Sequence, residues 1–236
     1  PRELPDKEKM ANKLSQILTI DRDEIFRRLD RDKLFVWIAR KLSGAKSDAI
    51  KRLKDGALGF VKESMRVYPK GETACQLIGF TSIDNDGLEG IELHYNSFLK
   101  GVPGWRLAKR DAKQRELISK ELEMVPPVDG YNVSLTIDEV IESIAEKELA
   151  ETCKKFNALG GSIVVVEPKT GDILAMVTYP SYDLNNAKKS DAQVRRNRAI
   201  TDLYEPGSVF KMFTLSAILE NKAFNLGEKF YCENGA

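Results

Sequence analysis

The chain has 236 residues, of which 42% are hydrophobic and 31% are charged, so it is long enough for two modest domains or one large one. Its 37 basic and 36 acidic side chains nearly cancel, which gives no reason to expect binding to nucleic acid or anionic lipid. No stretch of about 18 apolar residues is uninterrupted, so neither a membrane-spanning helix nor a signal peptide is predicted.

The first region, residues 6–66, is charged and is predicted to form small helices. The apolar residues of the first helix recur at helical spacing on one face; they are Met10, Leu14, Ile17 and Leu18. Thr19 or Asp21 is predicted to cap a second helix, and Glu24, three residues after Asp21, gives a capping-box pattern. A third helix is predicted from near Ser47 to a C-terminal cap at Gly56.

The middle of the chain is rich in turn-forming residues. Asn85, Asp86 and Gly87 predict a turn, and a short amphipathic helix is expected after it, through Phe98. Residues 105–127 are densely charged, and their pattern fits either the strands of a hairpin or a loose excursion.

Two prolines and a glycine then mark the predicted domain boundary; they are Pro126, Pro127 and Gly130. The boundary divides the chain into domains 1–130 and 131–236.

The second domain begins with a predicted strand at residues 132–138, and Asp138 is expected to cap a long helix that stops at Gly160. Two apolar segments follow, "SIVVVE" and "ILAMVT", joined by the turn residues 168–171. They predict an antiparallel hairpin. Helix, hairpin and a further apolar helix together indicate an α+β fold.

A serine followed three residues later by a lysine occurs three times: Ser43 with Lys46, Ser97 with Lys100, and Ser208 with Lys211. The first two pairs lie in polar surroundings, where an exposed lysine stays charged and cannot accept the serine proton. We therefore expect these two pairs to be ordinary surface residues.

The third pair is different because an apolar helix follows it. Pro206 and Gly207 suit a sharp entry into that helix, and Lys211 lies one turn from Ser208 on the same face. The helix is apolar nearly all round, which predicts that it is buried; its apolar residues are Val209, Phe210, Met212, Phe213, Leu215, Ala217, Ile218 and Leu219. Burial at a helix N-terminus would favour an uncharged amine that takes the serine proton. A helix-capping serine with an outward lysine is the open alternative.

The sequence predicts neither a metal site nor a disulfide framework. Cys75, Cys153 and Cys232 are widely spaced and odd in number, which is typical of single thiols packed as small apolar groups. His94 is the only histidine, so a multi-histidine metal centre is excluded, and it is expected to be an ordinary surface residue.

Four segments of the chain resemble the class B penicillin-binding proteins in the order found in that family. The segments are "GFTSIDNDGLEGIELHYNSFLKGVPG", "SLTID", "GGSIVVVEPKTGDILAMVTYPSYDLN" and "RNRAITDLYEPGSVFK". The resemblance implies an N-terminal pedestal, or dimerisation-like, domain. The start of a serine transpeptidase domain of the penicillin-binding and β-lactamase-like type follows it. Glu205 and the Gly-Leu-Glu-Gly-Ile-Glu segment are more similar to the division and sporulation branch.

The resemblance also implies roles for two residues. Ser208 would be the acylated nucleophile of a peptidoglycan D,D-transpeptidase, and Lys211 would be the general base that activates it. Expected partners are peptidoglycan stem peptides, lipid-linked precursors, β-lactam antibiotics and division-complex proteins. No cofactor is implied, and the expected location is the bacterial plasma membrane, with the domains on its outer side.

The chain departs from the family pattern in three ways. The Ser-x-Asn and Lys-Thr-Gly motifs are expected beyond the Ser208 helix, whereas the sequence ends at Ala236. The upstream Lys169–Gly171 is interpreted as a turn instead. The membrane anchor is missing at the front, and Glu142 stands where relatives usually carry Gln, without expected consequence.

These departures predict that the chain alone is inactive, because the apolar Ser208 helix would lack partner elements. The C-terminal half is then expected to be poorly ordered or completed by other material. Two other functions stay open. One is a scaffold module that docks division proteins without needing its chemistry. The other is a penicillin-sensing receptor or β-lactamase relative, which the pedestal-like segment disfavours.

Overall fold

The structure of the chain, a computed structural model, describes residue 4 and residues 6–107, 109–110, 116–117, 123–222, 227–229 and 231–233. Helices and antiparallel strands are both present along it, so the predicted α+β class is confirmed. Within these ranges, no helix combines the length and the apolarity needed to span a lipid bilayer.

Three helices build the first core: α1 (Lys7–Leu18), α2 (Arg22–Leu29) and α3 (Gly44–Lys51). Asp21 caps α2 as predicted, because its carboxylate accepts the N–H groups of Asp23 at 2.9 Å and Glu24 at 3.0 Å. The buried residues of this core include Met10, Leu14, Leu18, Ile25, Leu29 and Ile50. The predicted apolar face of α1 is therefore confirmed, with Ile17 only partly buried at its edge.

The third helix begins and ends earlier than predicted. The Ser43 hydroxyl accepts the N–H of Lys46, so the helix starts at Gly44 and not near Ser47. A side-chain oxygen that satisfies a free N–H group of the first turn fixes this start. The helix ends at Lys51, and Gly56 lies beyond it.

The middle region contains three short helices: α4 (Cys75–Ile78), α5 (Gly90–His94) and α6 (Asn96–Leu99). The single helix predicted through Phe98 is thus two helices that break at Tyr95. Gly90 has a φ of +59°, and a Cβ there would lie 2.4 Å from the Leu77 carbonyl oxygen. Only glycine permits this approach, which brings the start of α5 against α4.

Short antiparallel strands occupy the charged region that the sequence left open. Strand β1 (Trp105–Arg106) pairs with β4 (Met124–Val125), and β2 (Lys109–Arg110) pairs with β3 (Glu116–Leu117). The inner pair lies between the two strands of the outer pair in sequence. This nesting is that of a hairpin, so the structure favours the first of the two alternatives.

A long helix packed on a two-stranded sheet forms the other large core. Helix α7 (Glu139–Phe156) is capped by Asp138, as predicted, and lies against β5 (Gly161–Val166) and β6 (Ile173–Tyr179). The two strands form the predicted antiparallel hairpin. The buried residues between helix and sheet are Ala145, Leu149, Cys153, Ala175 and Val177. The Lys169–Gly171 stretch lies in the hairpin turn, where the Gly171 N–H donates to the Glu167 carbonyl at 2.8 Å.

Two boundaries around α7 differ from the prediction. Residues 132–138 are not a strand, since the contacts with β6 are the Thr136 hydroxyl to the Ile173 carbonyl and the Asp138 N–H to the Leu174 carbonyl. A strand ladder needs a repeated alternation of bonds, which two contacts do not provide. Helix α7 ends before Gly160, because Asn157 adopts a φ of +51° and terminates it.

Glu142 lies inside the second core, although the sequence suggested no consequence for it. Its side chain is fully buried, and one carboxylate oxygen accepts the Met176 N–H at 2.8 Å. The other oxygen is buried without a hydrogen-bond partner among the described residues. Burial raises the pKa of this carboxyl, and the nearby Glu146 raises it further. Glu142 therefore links α7 to β6 at an electrostatic cost.

Candidate active site

Ser208 lies on a sharp turn at the start of a helix. The 3₁₀ turn Gly207–Phe210 leads directly into α10 (Lys211–Glu220). Gly207 has a φ of +55°, in the left-handed region that favours glycine. The chain therefore changes direction immediately before Ser208, as the Pro-Gly pair predicted.

The backbone places Ser208 and Lys211 on the same side of this turn. The Lys211 N–H donates to the Ser208 carbonyl, which closes one turn between the two residues. In a 3₁₀ turn, side chains three residues apart lie nearly above one another. No hydrogen bond joins the Ser208 hydroxyl to the Lys211 amine in the described part of the chain. The structure thus shows the spacing of a nucleophile and its base, without direct contact between their side chains.

The burial expected from the apolar pattern of the Ser208 helix is not seen in this chain, whereas the expected lack of partner elements is confirmed among the described residues. Ser208 and Lys211 are both exposed, and so is most of α10. Its exposed large apolar residues are Met212, Phe213, Leu215 and Leu219, which follow Val209 and Phe210 of the turn. A helix that is apolar on all sides needs partners on all sides. The described residues do not provide them, since α7 and the β5–β6 sheet are packed against each other.

The Ser43–Lys46 pair has a structural role. Ser43 caps α3, and the Lys46 amine donates to the Leu18 carbonyl at 2.9 Å and to the Thr19 hydroxyl at 3.0 Å. These bonds tie the end of α1 to the start of α3. Both side chains are committed to the helical core, so the pair offers no activated serine.

The Ser97–Lys100 pair also fails as a catalytic unit. Ser97 lies within the short helix α6 and is exposed. The Lys100 amine forms an ion pair with Asp86. Among the described residues, this amine forms no hydrogen bond to the Ser97 hydroxyl. The expectation that neither pair carries chemistry is consistent with these contacts, although Ser43 and Lys46 hold helix ends together and are not simply solvated surface residues.

The segment that leads to Ser208 is held by contacts that the sequence did not reveal. Arg196 and Arg198 both form ion pairs with Asp202. The Asn197 amide approaches the Met176 sulfur of β6 at 3.2 Å. Two short helices belong to this part of the chain, α8 (Ala192–Arg195) and α9 (Arg198–Thr201), and α9 lies against β5 and β6. Arg196, Asn197, Arg198 and Asp202 belong to the segment "RNRAITDLYEPGSVFK", in which their spacing alone predicts no role.

The cysteines and the histidine do not form a second site among the described residues. Cys75 and Cys153 are buried and free, as predicted, whereas Cys232 is exposed and not packed as a small apolar group. Burial raises the pKa of the Cys75 thiol to about 11, which makes it a poor nucleophile. His94 is exposed, as predicted.

Comparison with known protein families gives two matches that together span most of the chain. Residues 1–135 match the family described as the penicillin-binding protein dimerisation domain. Residues 161–236 match the family described as the penicillin-binding protein transpeptidase domain. The serine turn and α10 lie within the second match.

Individual relatives of the chain belong to the same group of proteins as the two family matches. The chain is 34% identical to peptidoglycan D,D-transpeptidase FtsI of Escherichia coli over 88% of its own length and 35% of the relative. It is 32% identical to stage V sporulation protein D of Bacillus subtilis, covering all of the chain and 37% of the relative. A crystal structure of a peptidoglycan synthetase from Bifidobacterium adolescentis matches 98% of the chain and 42% of that protein, with a TM-score of 0.62 and 25% identity. The chain thus spans little more than a third of the length of these curated relatives.

Proposed function

Since the chain belongs to the class B penicillin-binding proteins, we propose that the full-length protein is a peptidoglycan D,D-transpeptidase with Ser208 as nucleophile and Lys211 as general base. The observation that carries this proposal is the contrast among the three serine–lysine pairs. Ser43 and Lys46 bind the helical core, and Lys100 is paired with Asp86. Ser208 alone combines an exposed hydroxyl, a glycine turn and a lysine one turn ahead.

The proposed reaction has two acyl-transfer steps. The Lys211 amine takes the Ser208 hydroxyl proton, and the serine oxygen attacks the carbonyl of the penultimate D-Ala of a stem peptide. The C–N bond breaks, and the terminal D-Ala leaves with a proton. An amine of a neighbouring strand then attacks the ester, and Ser208 regains its proton as the cross-link forms.

The position of Ser208 also suits stabilisation of the transition state. Its backbone N–H lies at the N-terminal end of a turn that continues into α10. Peptide N–H groups at such an end carry partial positive charge. We assign this N–H to one half of the oxyanion hole, which would stabilise the tetrahedral intermediate.

Residues 1–236 are proposed to be inactive by themselves. Proton transfer to Lys211 requires an uncharged amine, and a dry environment favours that form. Both side chains are exposed in this chain. We expect the full-length protein to cover α10 and supply the missing apolar surroundings. A stoichiometric penicillin adduct on Ser208 of residues 1–236 alone would contradict this part of the proposal.

The relatives favour a role in septal or sporulation cell-wall synthesis. We assign residues 1–130 to a pedestal domain and residues 131–236 to the start of the transpeptidase domain. The substrates would be stem peptides on lipid-linked and polymerised peptidoglycan, and β-lactams would acylate Ser208 as mimics of the donor. We place the full-length protein at the bacterial plasma membrane, with these domains on the outer side and division proteins as partners.

A non-catalytic scaffold is the second function to be separated from this one. Exposed apolar residues near the end of the first domain favour docking of a partner protein; they include Leu93, Phe98, Val102 and Val128. In a scaffold, the protein would be needed in cells, whereas the Ser208 hydroxyl would not.

The decisive experiment is intact-mass measurement of the full-length protein with benzylpenicillin. The unaltered protein should gain one penicilloyl adduct, and Ser208→Ala should gain none. Ser97→Ala is the matched control, because Ser97 is also exposed and also precedes a lysine by three residues; it should be labelled normally. Labelling of Ser208→Ala would refute the assignment. Full complementation of a deletion strain by Ser208→Ala would instead favour the scaffold.

A further inference from the structure

The polypeptide that leads to Ser208 is fastened to the first domain before it reaches the serine turn. We call residues 180–195, which follow β6, the strap. The Gln76 side-chain amide donates to the carbonyl groups of Pro180 at 2.8 Å and Val194 at 3.1 Å. One buried residue of α4 therefore holds both ends of the strap.

The middle of the strap is fixed to the same part of the first domain. The Tyr182 hydroxyl donates to the Cys75 carbonyl at 3.1 Å. The Asn185 side chain accepts the Tyr68 N–H at 3.1 Å and donates to the Tyr68 carbonyl at 2.8 Å. Burial raises the pKa of the Tyr182 hydroxyl, so this donor keeps its proton.

Arg195 is the last residue of the strap, and it carries the charged contact. Its Nε donates to the Glu89 carboxylate at 3.0 Å, and its Nη1 donates to the Ser190 carbonyl at 2.7 Å. The guanidinium also lies 5.5 Å from the centre of the Phe80 ring. The Arg195 side chain is only 20% exposed, so its hydrogen bond to Glu89 is partly shielded from solvent.

Beyond Arg195 the chain changes partners. Residues 196–202 are held by their own ion pairs and by the β5–β6 sheet. Between residues 196–222 and residues 68–89, the described side chains form neither an ion pair nor a hydrogen bond. Leu203 and Tyr204 are almost fully exposed and lead directly to the serine turn. Arg195 is thus the point where the path to Ser208 leaves the first domain.

We infer that Arg195 is a positioning residue for Ser208, and that Glu89 of the first domain is its partner in that role. The inference rests on the proposed function of Ser208. The Glu89–Arg195 pair would set where the 196–207 segment starts and hence where the serine turn lies relative to bound substrate. Misplacement of a reacting group by about 1 Å is enough to slow a reaction on the order of a hundredfold.

The test is the acylation kinetics of the full-length protein with a fluorescent penicillin, which separates the binding constant from the acylation rate constant. In Arg195→Gln, the acylation rate constant should fall roughly tenfold or more, while the binding constant stays the same. Glu89→Gln should lower the rate constant by a smaller factor. The double variant should be no slower than Arg195→Gln, because both changes remove one interaction.

Arg28→Gln is the matched control. Arg28 likewise pairs with a carboxylate, Glu24, and donates to a backbone carbonyl, that of Ile38. It lies on α2, in the helical core, and should leave the acylation rate constant unchanged. Arg195→Lys keeps the charge and should recover part of the rate, which serves as the informative variant if Arg195→Gln does not fold.

The rate constants are normalised to the number of active sites, so a loss of folded protein does not imitate a positioning effect. An unchanged rate constant in Arg195→Gln, Arg195→Lys and Glu89→Gln, even with a lower melting temperature, overturns the inference alone. An unmodified Ser208 in the unaltered full-length protein overturns both the proposed function and the inference. If the falls in rate constant of Arg195→Gln and Glu89→Gln add in the double variant, the two residues do not act through one shared interaction.

Discussion

The N-terminal helical core and the serine helix are both rich in apolar residues, yet the structure buries one and exposes the other. Helix α1 has its apolar residues on one face, and α2, α3 and the segments that flank them cover that face. Helix α10 is apolar nearly all round and lies exposed on the described part of the chain. The distribution of apolar residues around a helix, and not their number, decides whether a few neighbouring elements can bury them.

The difference matters because the candidate nucleophile precedes α10, the helix whose apolar residues remain exposed. The first core is covered by neighbouring parts of this chain, whereas the chemistry proposed for Ser208 depends on what surrounds α10. The region that forms a covered core and the region that carries the candidate nucleophile are therefore different parts of the sequence. Substitutions in the two regions should have opposite consequences for stability and for acylation.

The greatest loss of stability is expected from a substitution in the first core. Leu14 is 1% exposed in the centre of the helical core, so Leu14→Ala should lower the free energy of unfolding of the 236-residue chain by about 2–5 kcal/mol. Leu215 is 47% exposed on α10, and Leu215→Ala should change the free energy of unfolding by less than about 0.5 kcal/mol. Urea unfolding followed by far-UV circular dichroism measures both values.

The same pair of substitutions reports whether α10 is buried in the full-length protein. If α10 is covered there, Leu215→Ala should become as costly as a core substitution. Equal costs for the two variants in the 236-residue chain would mean that α10 is packed in solution, contrary to the structure.

The second expected effect concerns the glycine before the serine. Alanine at position 207 would have to keep a φ of +55°, which costs about 1–2 kcal/mol. Gly207→Ala should therefore slow penicillin acylation of the full-length protein by about 5- to 30-fold. Gly44→Ala is the control, since Gly44 has open space around its Cβ position and belongs to α3. An unaffected acylation rate in Gly207→Ala would show that the turn tolerates another conformation.

Local patterns in the sequence were enough to predict most of the elements. The caps at Asp21 and Asp138, the α1 face and the β5–β6 hairpin all depend on neighbours in the chain, and each was confirmed. Errors arose where a boundary depended on one further contact. Ser43 moved the start of α3 because its hydroxyl caps the helix.

The candidate site was less accessible to sequence reasoning. The i to i+3 spacing of Ser208 and Lys211 follows from local geometry, whereas burial of the helix depends on distant elements. The apolar pattern alone predicted burial, and the exposure of α10 agrees instead with the expected lack of partner elements in this chain. The contacts of Arg195 with Glu89 were also missed, since 106 residues separate them and nothing in their spacing links them. Single-sequence patterns do not encode such pairs.

The third effect separates a capping serine from a reactive one. Ser43→Ala removes the cap of α3 and should destabilise the chain by about 1 kcal/mol, without any change in acylation of the full-length protein. Ser208→Ala should abolish acylation and leave the stability of the chain unchanged, because the Ser208 hydroxyl is exposed and makes no described hydrogen bond. Thermal unfolding and gel detection of the fluorescent adduct measure the two outcomes. A variant that lost both properties would contradict the separation.

The smallest effect lies in the second closed core, where Glu142 is a buried group with one unpartnered oxygen. Glu142→Gln keeps an oxygen to accept the Met176 N–H and removes the ionisable group, so it should stabilise the chain by about 0.5–1 kcal/mol at pH 8. Glu151→Gln, on the exposed side of the same helix, is the matched control and should have little effect.

The pH dependence of the melting temperature shows whether Glu142→Gln stabilises the chain by removing a buried negative charge. The pKa of Glu142 is raised in the folded state, so the folded chain holds this proton more tightly than the unfolded chain does. The contribution of Glu142 to the stability of the unaltered chain must then fall as the pH rises from the ordinary carboxyl value of 4.5 through the raised pKa. Below 4.5 both states are protonated, and the advantage of the glutamine should shrink towards the small difference between two neutral groups. Melting temperatures of the two chains from pH 4 to pH 8 should therefore diverge with increasing pH. Parallel curves would mean that Glu142 stays neutral or reaches solvent, and that the closed core carries no buried charge.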